Sequence, residues 1–82
     1  MRLSNLSPGQ SGIIKDLDKT LNIRKRLLDL GFIPGTSIKC LTRSPLGDPT
    51  AYLVRGTVIA LRKKDAGQII IDLKNDLSGI LS

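Results

Sequence analysis

Glycine and proline interrupt this chain so often that it can hold only short elements. Pro8-Gly9, Gly31, Pro34-Gly35, Pro45 to Pro49, Gly56 and Gly67 break it into brief runs. Proline lacks an N–H donor and glycine accepts the conformations that end helices and strands. Between these breaks the apolar residues alternate. Ile13, Ile14 and Leu17 sit among polar neighbours in 11–17, and Ile38, Cys40 and Thr42 alternate with Lys39, Leu41 and Arg43 in 37–43. Runs 51–55, 57–62 and 68–73 follow the same pattern, with Ile69, Ile71 and Leu73 on one face of the last. Period-two alternation bounded by breakers predicts five short strands.

One segment has a different period. Ile23, Leu27 and Leu30 recur at i, i+4 and i+7, with Leu28 widening the stripe, while Lys25, Arg26 and Asp29 take the opposite side. This predicts a short amphipathic helix over 23–30, with Asn22 as N-cap and Gly31 as the C-terminal stop. Phe32 is expected to fold back onto the core. Five strands and one early helix in 82 residues describe a mainly β fold, a small barrel that curls to cover its edges. A single domain of this size buries about 60% of the surface of its unfolded chain, which leaves little room for a deep substrate cavity.

Residue inventory limits the chemistry. The chain has no His, no Glu and no Trp, and its one cysteine is Cys40. Ser/His and Cys/His nucleophilic sites and zinc sites built from Cys and His are therefore excluded. The seven acids are all Asp, and several stand beside a Lys or Arg, as solvated surface residues do. No catalytic residue, no metal site and no cofactor is assigned. No apolar run approaches the roughly 20 residues of a membrane-spanning helix, and no signal-peptide pattern opens the chain, so membrane insertion is not expected and a cytoplasmic location is. Cys40 alternates inward with Ile38 and reads as a buried small hydrophobe.

Thirteen Lys and Arg against seven Asp give a formal net charge of +6, which favours an acidic partner. Three places attract attention. Arg24, Lys25 and Arg26 crowd the first turn of the expected helix, where the macrodipole disfavours cations, so they are candidates to face an acidic partner; Asp29 is placed to pair with Lys25. The loop Ser44 to Pro49 carries two prolines that restrict it, which makes Pro45, Leu46, Gly47, Asp48 and Pro49 a candidate binding projection. Arg62, Lys63 and Lys64 read as cationic protection of a strand end. With only Phe32 and Tyr52 as aromatic residues, neither a proline-rich peptide groove nor base stacking is favoured.

The run from Arg26 to Ile38, RLLDLGFIPGTSI, resembles the RLxxLGxxPGxxI core of FeoA-type domains. The resemblance continues in register through Ser44 to Pro49 (SPLGDP) and Val54 to Arg62 (VRGTVIALR), and reaches the closing strand at Ala66 to Asp72. It implies an SH3-like barrel over residues 1–73 with a tail at 74–82, to which only Leu77, Ile80 and Leu81 offer docking groups. It also implies a noncatalytic accessory role in bacterial ferrous-iron uptake. The implied partner is the cytosolic side of the membrane transporter FeoB, with no small-molecule substrate. Similar domains end iron-dependent repressors; no helix-turn-helix precedes this one, so the standalone form is expected. From charge alone, a small basic barrel that binds nucleic acid phosphates stays open as an alternative; the resemblance leaves open a detached SH3-like regulatory domain of a metal-dependent repressor, and barrel edges could pair in a homodimer.

Overall fold

A computed structural model describes residues 1–18 and 21–74, and the side chains of these apart from residues 21–23. The elements run β1 (Ser11–Leu17), α1 (Leu21–Asp29), β2 (Ser37–Arg43), β3 (Thr50–Val54), β4 (Thr57–Leu61), α2 (Lys63–Ala66) and β5 (Ile69–Leu73), preceded by a 3-10 turn at Leu3–Asn5. The strands form one antiparallel sheet in the order β4-β3-β2-β1-β5. This is the expected mainly β body with a helix after the first strand.

The sheet curls because two of its ladders lose register. Pairing shifts between Ile14 and Asp16 where β1 meets β5, and between Cys40 and Thr42 where β2 meets β3. An extra residue on one strand bends it and increases its twist. β1 and β5 approach closely at Gly12, where a Cβ would come within 2.9 Å of Ile71 Cδ1 and 3.0 Å of the Asp72 carbonyl oxygen. The edge strands β4 and β5 are not paired with each other. The amino terminus covers the outer edge of β5: the Ile71 N–H donates to the Met1 carbonyl at 2.8 Å, and Arg2 bridges to Ile70. The 3-10 turn packs against both β5 and α2.

The inward residues of the alternating strands meet in one core. Ile14 and Leu17 from β1, Ile38 and Cys40 from β2, Tyr52 and Val54 from β3, and Ile69 and Ile71 from β5 are all buried. Leu3 and Leu6 join them with no exposed surface. So short an amino-terminal segment shows no period in the sequence that would mark these two leucines as core.

Helix α1 starts at Leu21, two residues earlier than expected, so Asn22 lies inside its first turn and is not its N-cap. Its end follows the expectation. Gly31 takes φ +104°, its N–H donates to the Leu28 carbonyl at 3.1 Å, and the Phe32 N–H donates to the Leu27 carbonyl at 3.0 Å. This paired closure is a Schellman motif, which needs a residue free to enter positive φ and sets the next side chain against the third-last helical one. Phe32 and Leu27 are both fully buried. Leu30 instead stays 44% exposed: it is the last residue before the glycine, where the chain turns away. Leu73, expected to face inward with Ile69 and Ile71, is likewise half exposed at the end of β5. The expected tail from residue 75 onward lies outside the described residues. Among the described residues no helix is long and apolar enough to cross a membrane.

Candidate docking surface

The loop between β2 and β3 is closed on itself. Ser44 Oγ donates to the Asp48 carbonyl at 2.7 Å, the Gly47 N–H donates to the Ser44 carbonyl at 2.8 Å, and the Ser44 N–H donates to the Pro49 carbonyl at 3.1 Å. With Pro45 and Pro49 restricting the ends, little backbone freedom is left to lose on binding. Leu46 stands at the tip with 94% of its surface in water. A fully exposed leucine on a braced loop gains about 1.5–3 kcal/mol when a partner covers it.

Asp48 has a second role. Its Oδ1 accepts the backbone N–H of Lys63 at 2.8 Å, the first residue of α2. Arg62, at the N-cap position of α2, supplies no side-chain cap, so a carboxylate from the loop satisfies this orphan donor. Lys63 and Lys64 thus belong to a short helix, not to a strand-end turn. Four residues are too few to show helical periodicity, which is why the sequence concealed it.

On its other side α2 holds α1. Arg26 Nη2 donates to Asp65 Oδ2 at 3.0 Å, and the Asp65 side chain is only 9% exposed. Ala66 enters the core beside it. The two clusters singled out in the sequence therefore flank one four-residue helix, with Asp48 on one side and Arg26 on the other. Nothing in the chain's local patterning announced this; Arg26 and Asp65 are 39 residues apart.

The three cations of α1 have different fates. Arg24 Nη1 donates to the Leu17 carbonyl at 3.3 Å and lies 3.8 Å from Asp16 Oδ1, and Arg26 is taken by Asp65. Lys25 is exposed and, among the described residues, in no ion pair; its expected pairing with Asp29 is not formed. Because the helix begins at Leu21, Arg24 closes its first turn, as expected, and Lys25 and Arg26 lie beyond it. Arg26 is in the last turn, where the macrodipole favours a cation.

Burial disposes of two other chemistries. Cys40 is buried, and burial pushes its thiol above the usual cysteine range. Tyr52 is 2% exposed and Phe32 is fully buried, so neither aromatic ring can stack on a base. No three acidic or cysteine side chains converge as metal ligands among the described residues.

Residues 1–73 match the family model for the FeoA domain. The chain belongs to the FeoA family. It is 36% identical over 73 residues to an Fe(2+) transport protein A/Fe(2+) transporter FeoB fusion protein of Porphyromonas gingivalis; the match takes in 89% of this chain and 9% of that protein, so the FeoA chain spans a small part of the fusion's length. The solution structure of FeoA from Chlorobium tepidum superposes with a TM-score of 0.83 at 32% identity, covering 89% of this chain and 70% of the other. FeoA of Stenotrophomonas maltophilia, crystallised with zinc and described as an SH3 domain protein, superposes at 0.78 with 32% identity, covering 88% and 89%. The sheet described above is thus the SH3-like FeoA fold.

Proposed function

We infer that this FeoA domain is a noncatalytic accessory module of bacterial ferrous-iron uptake that docks on the cytosolic side of FeoB. Pro45, Leu46, Gly47, Asp48 and Pro49 form one part of the docking surface, and Arg24, Lys25 and Arg26 the other. The observation that carries the reading is the junction at α2. It fixes an exposed leucine on a braced loop, and a lysine of α1 that has no ion-pair partner among the described residues, to either side of one rigid joint, as an apolar anchor beside a cationic flank requires. The P. gingivalis fusion supports FeoB as the partner, since one polypeptide there carries both names.

Leu46 supplies apolar contact, and Lys25 steers an acidic surface toward it. Arg24 and Arg26 act mainly by holding α1 in place. Equilibrium binding of the 82-residue chain to the cytosolic part of FeoB tests this. Leu46→Asp is expected to weaken binding by about tenfold or more, equivalent to about 1.4 kcal/mol, and Lys25→Glu to slow association and reduce its salt dependence. Unchanged affinity in a folded Leu46→Asp, Lys25→Glu double variant rules out this surface.

A further inference from the structure

A hollow of about 100 Å3 opens beside the loop, lined by Ser4, Arg43, Gly47, Thr50, Tyr52 and Lys63. Three of these carry hydroxyls and two carry positive charge, in a chain whose interior is otherwise almost wholly apolar. Only Thr50 and Asp65 are buried polar or charged residues among those described. Asp65 answers Arg26. Thr50 instead lines this hollow, two residues before Tyr52 along β3.

The two cations are short of counter-ions. Arg2, Arg24 and Arg26 each have a carboxylate within 4.0 Å, whereas Arg43 and Lys63 make no ion pair among the described residues. Arg43 Nη2 donates to the Leu6 carbonyl at 3.1 Å, which steadies the guanidinium and leaves its other N–H donors free. The nearby acid is Asp48, whose Oδ1 is turned to the Lys63 backbone N–H. Burial, more than any other cause, raises the Tyr52 pKa, with the neighbouring Cys40 adding to it; the phenol therefore remains an O–H donor at neutral pH.

We propose that this hollow binds a tetrahedral oxyanion, as inorganic phosphate or as the phosphoryl group of a phosphomonoester. The donors come from different walls: Ser4 from the 3-10 turn, Arg43 from β2, Thr50 and Tyr52 from β3, and Lys63 from α2. That spread suits oxygens arranged tetrahedrally better than a planar carboxylate, which two parallel donors would serve. A volume of about 100 Å3 has room for several waters, and so for a small oxyanion. The rest of a phosphomonoester remains outside.

The test is a titration of the 15N-labelled 82-residue chain with sodium phosphate at constant ionic strength, read from amide chemical shifts. Saturable shifts are expected at Ser4, Arg43, Gly47, Thr50 and Lys63, with competition by sulfate and none by chloride. Arg43→Gln and Lys63→Gln should each weaken binding tenfold or more, and Tyr52→Phe, which keeps the ring in the core, about threefold. Glycerol phosphate distinguishes the sources: affinity equal to or above that of phosphate assigns the hollow to a phosphorylated molecule, and a steep loss assigns it to the free ion. Shifts that grow without saturation overturn the proposal. So does saturable binding that persists undiminished in a folded Lys63→Gln variant, which leaves the Arg43 bond to Leu6 intact.

Discussion

Cutting the link between α1 and α2 has a cost that follows from its geometry. The Arg26 guanidinium reaches Asp65 at 3.0 Å, with the carboxylate side chain 9% exposed and the arginine side chain 58% exposed. A hydrogen bond to a charged group contributes about 1.5–3 kcal/mol when well shielded. A solvent-exposed ion pair contributes only about 0.2–1 kcal/mol. One member of this pair is sheltered and the other wet, so the coupling should fall between these ranges, near 1 kcal/mol. For a domain of 60–100 residues that corresponds to a Tm change of about 4–8 °C. The assay is a double-mutant cycle of Arg26→Ala and Asp65→Ala followed by urea unfolding in far-UV circular dichroism, since the chain has no Trp. Each single variant should lose about as much as the double. Single-variant losses that simply add, leaving a coupling within about 0.3 kcal/mol of zero, refute the role given to this pair.

Three further outcomes are expected. Leu6→Ala removes a side chain with no exposed surface and should destabilise by about 2–5 kcal/mol, measured by the same urea unfolding; a loss below 1 kcal/mol would mean that the amino-terminal segment is not part of the core. Gly31→Ala meets no atom closer than 3.8 Å but keeps φ +104°, so its cost is backbone strain of about 1–2 kcal/mol, and an unchanged Tm contradicts the Schellman closure. Stability should be level from pH 7 and then fall as the pH climbs past the ordinary cysteine and tyrosine values of 9.0 and 10.0. Burial raises both groups in the folded chain, so the unfolded chain loses these protons first, and the stability they contribute below that range drains away at up to about 1.4 kcal/mol per pH unit for each group. Cys40→Ala should delay the onset of the fall; an identical profile removes Cys40 as a contributor.

The sequence made the strands legible because each is short, alternating and fenced by breakers. Ser11–Leu17 and Ser37–Arg43 begin and end where the residues indicated, and Cys40 is buried as its alternation with Ile38 required. The start of α1 was misread because Asn22 resembles a cap, while the helix begins one residue before it. Leu30 belongs to the apolar stripe by period but sits where the Schellman turn lifts the chain off the core. The loop was recognisable as a projection from its prolines. Its anchoring was not, because the bond from Asp48 reaches the Lys63 backbone, and neither residue's local pattern encodes the other. Thr50 and Tyr52 read as ordinary strand residues, and only the fold brings them beside Arg43 and Lys63.

Helix α2 decides how the outer surface is organised. A helix of four residues cannot persist alone, since nucleation fixes several dihedral angles for each hydrogen bond formed. It stands because Ala66 is buried, the 3-10 turn packs on it, Asp48 caps its first N–H and Asp65 receives Arg26. Each of these supports ties it to a different part of the chain. Among the described residues, Arg2, Arg24 and Arg26 have a carboxylate partner, whereas Lys25 on α1 and Arg43 and Lys63 around the hollow are among the cations that have none. Lys63 opens α2 and the exposed Leu46 stands on the loop whose Asp48 caps it, so the docking surface and the anion site proposed above share one support, and a variant that displaces α2 should weaken both.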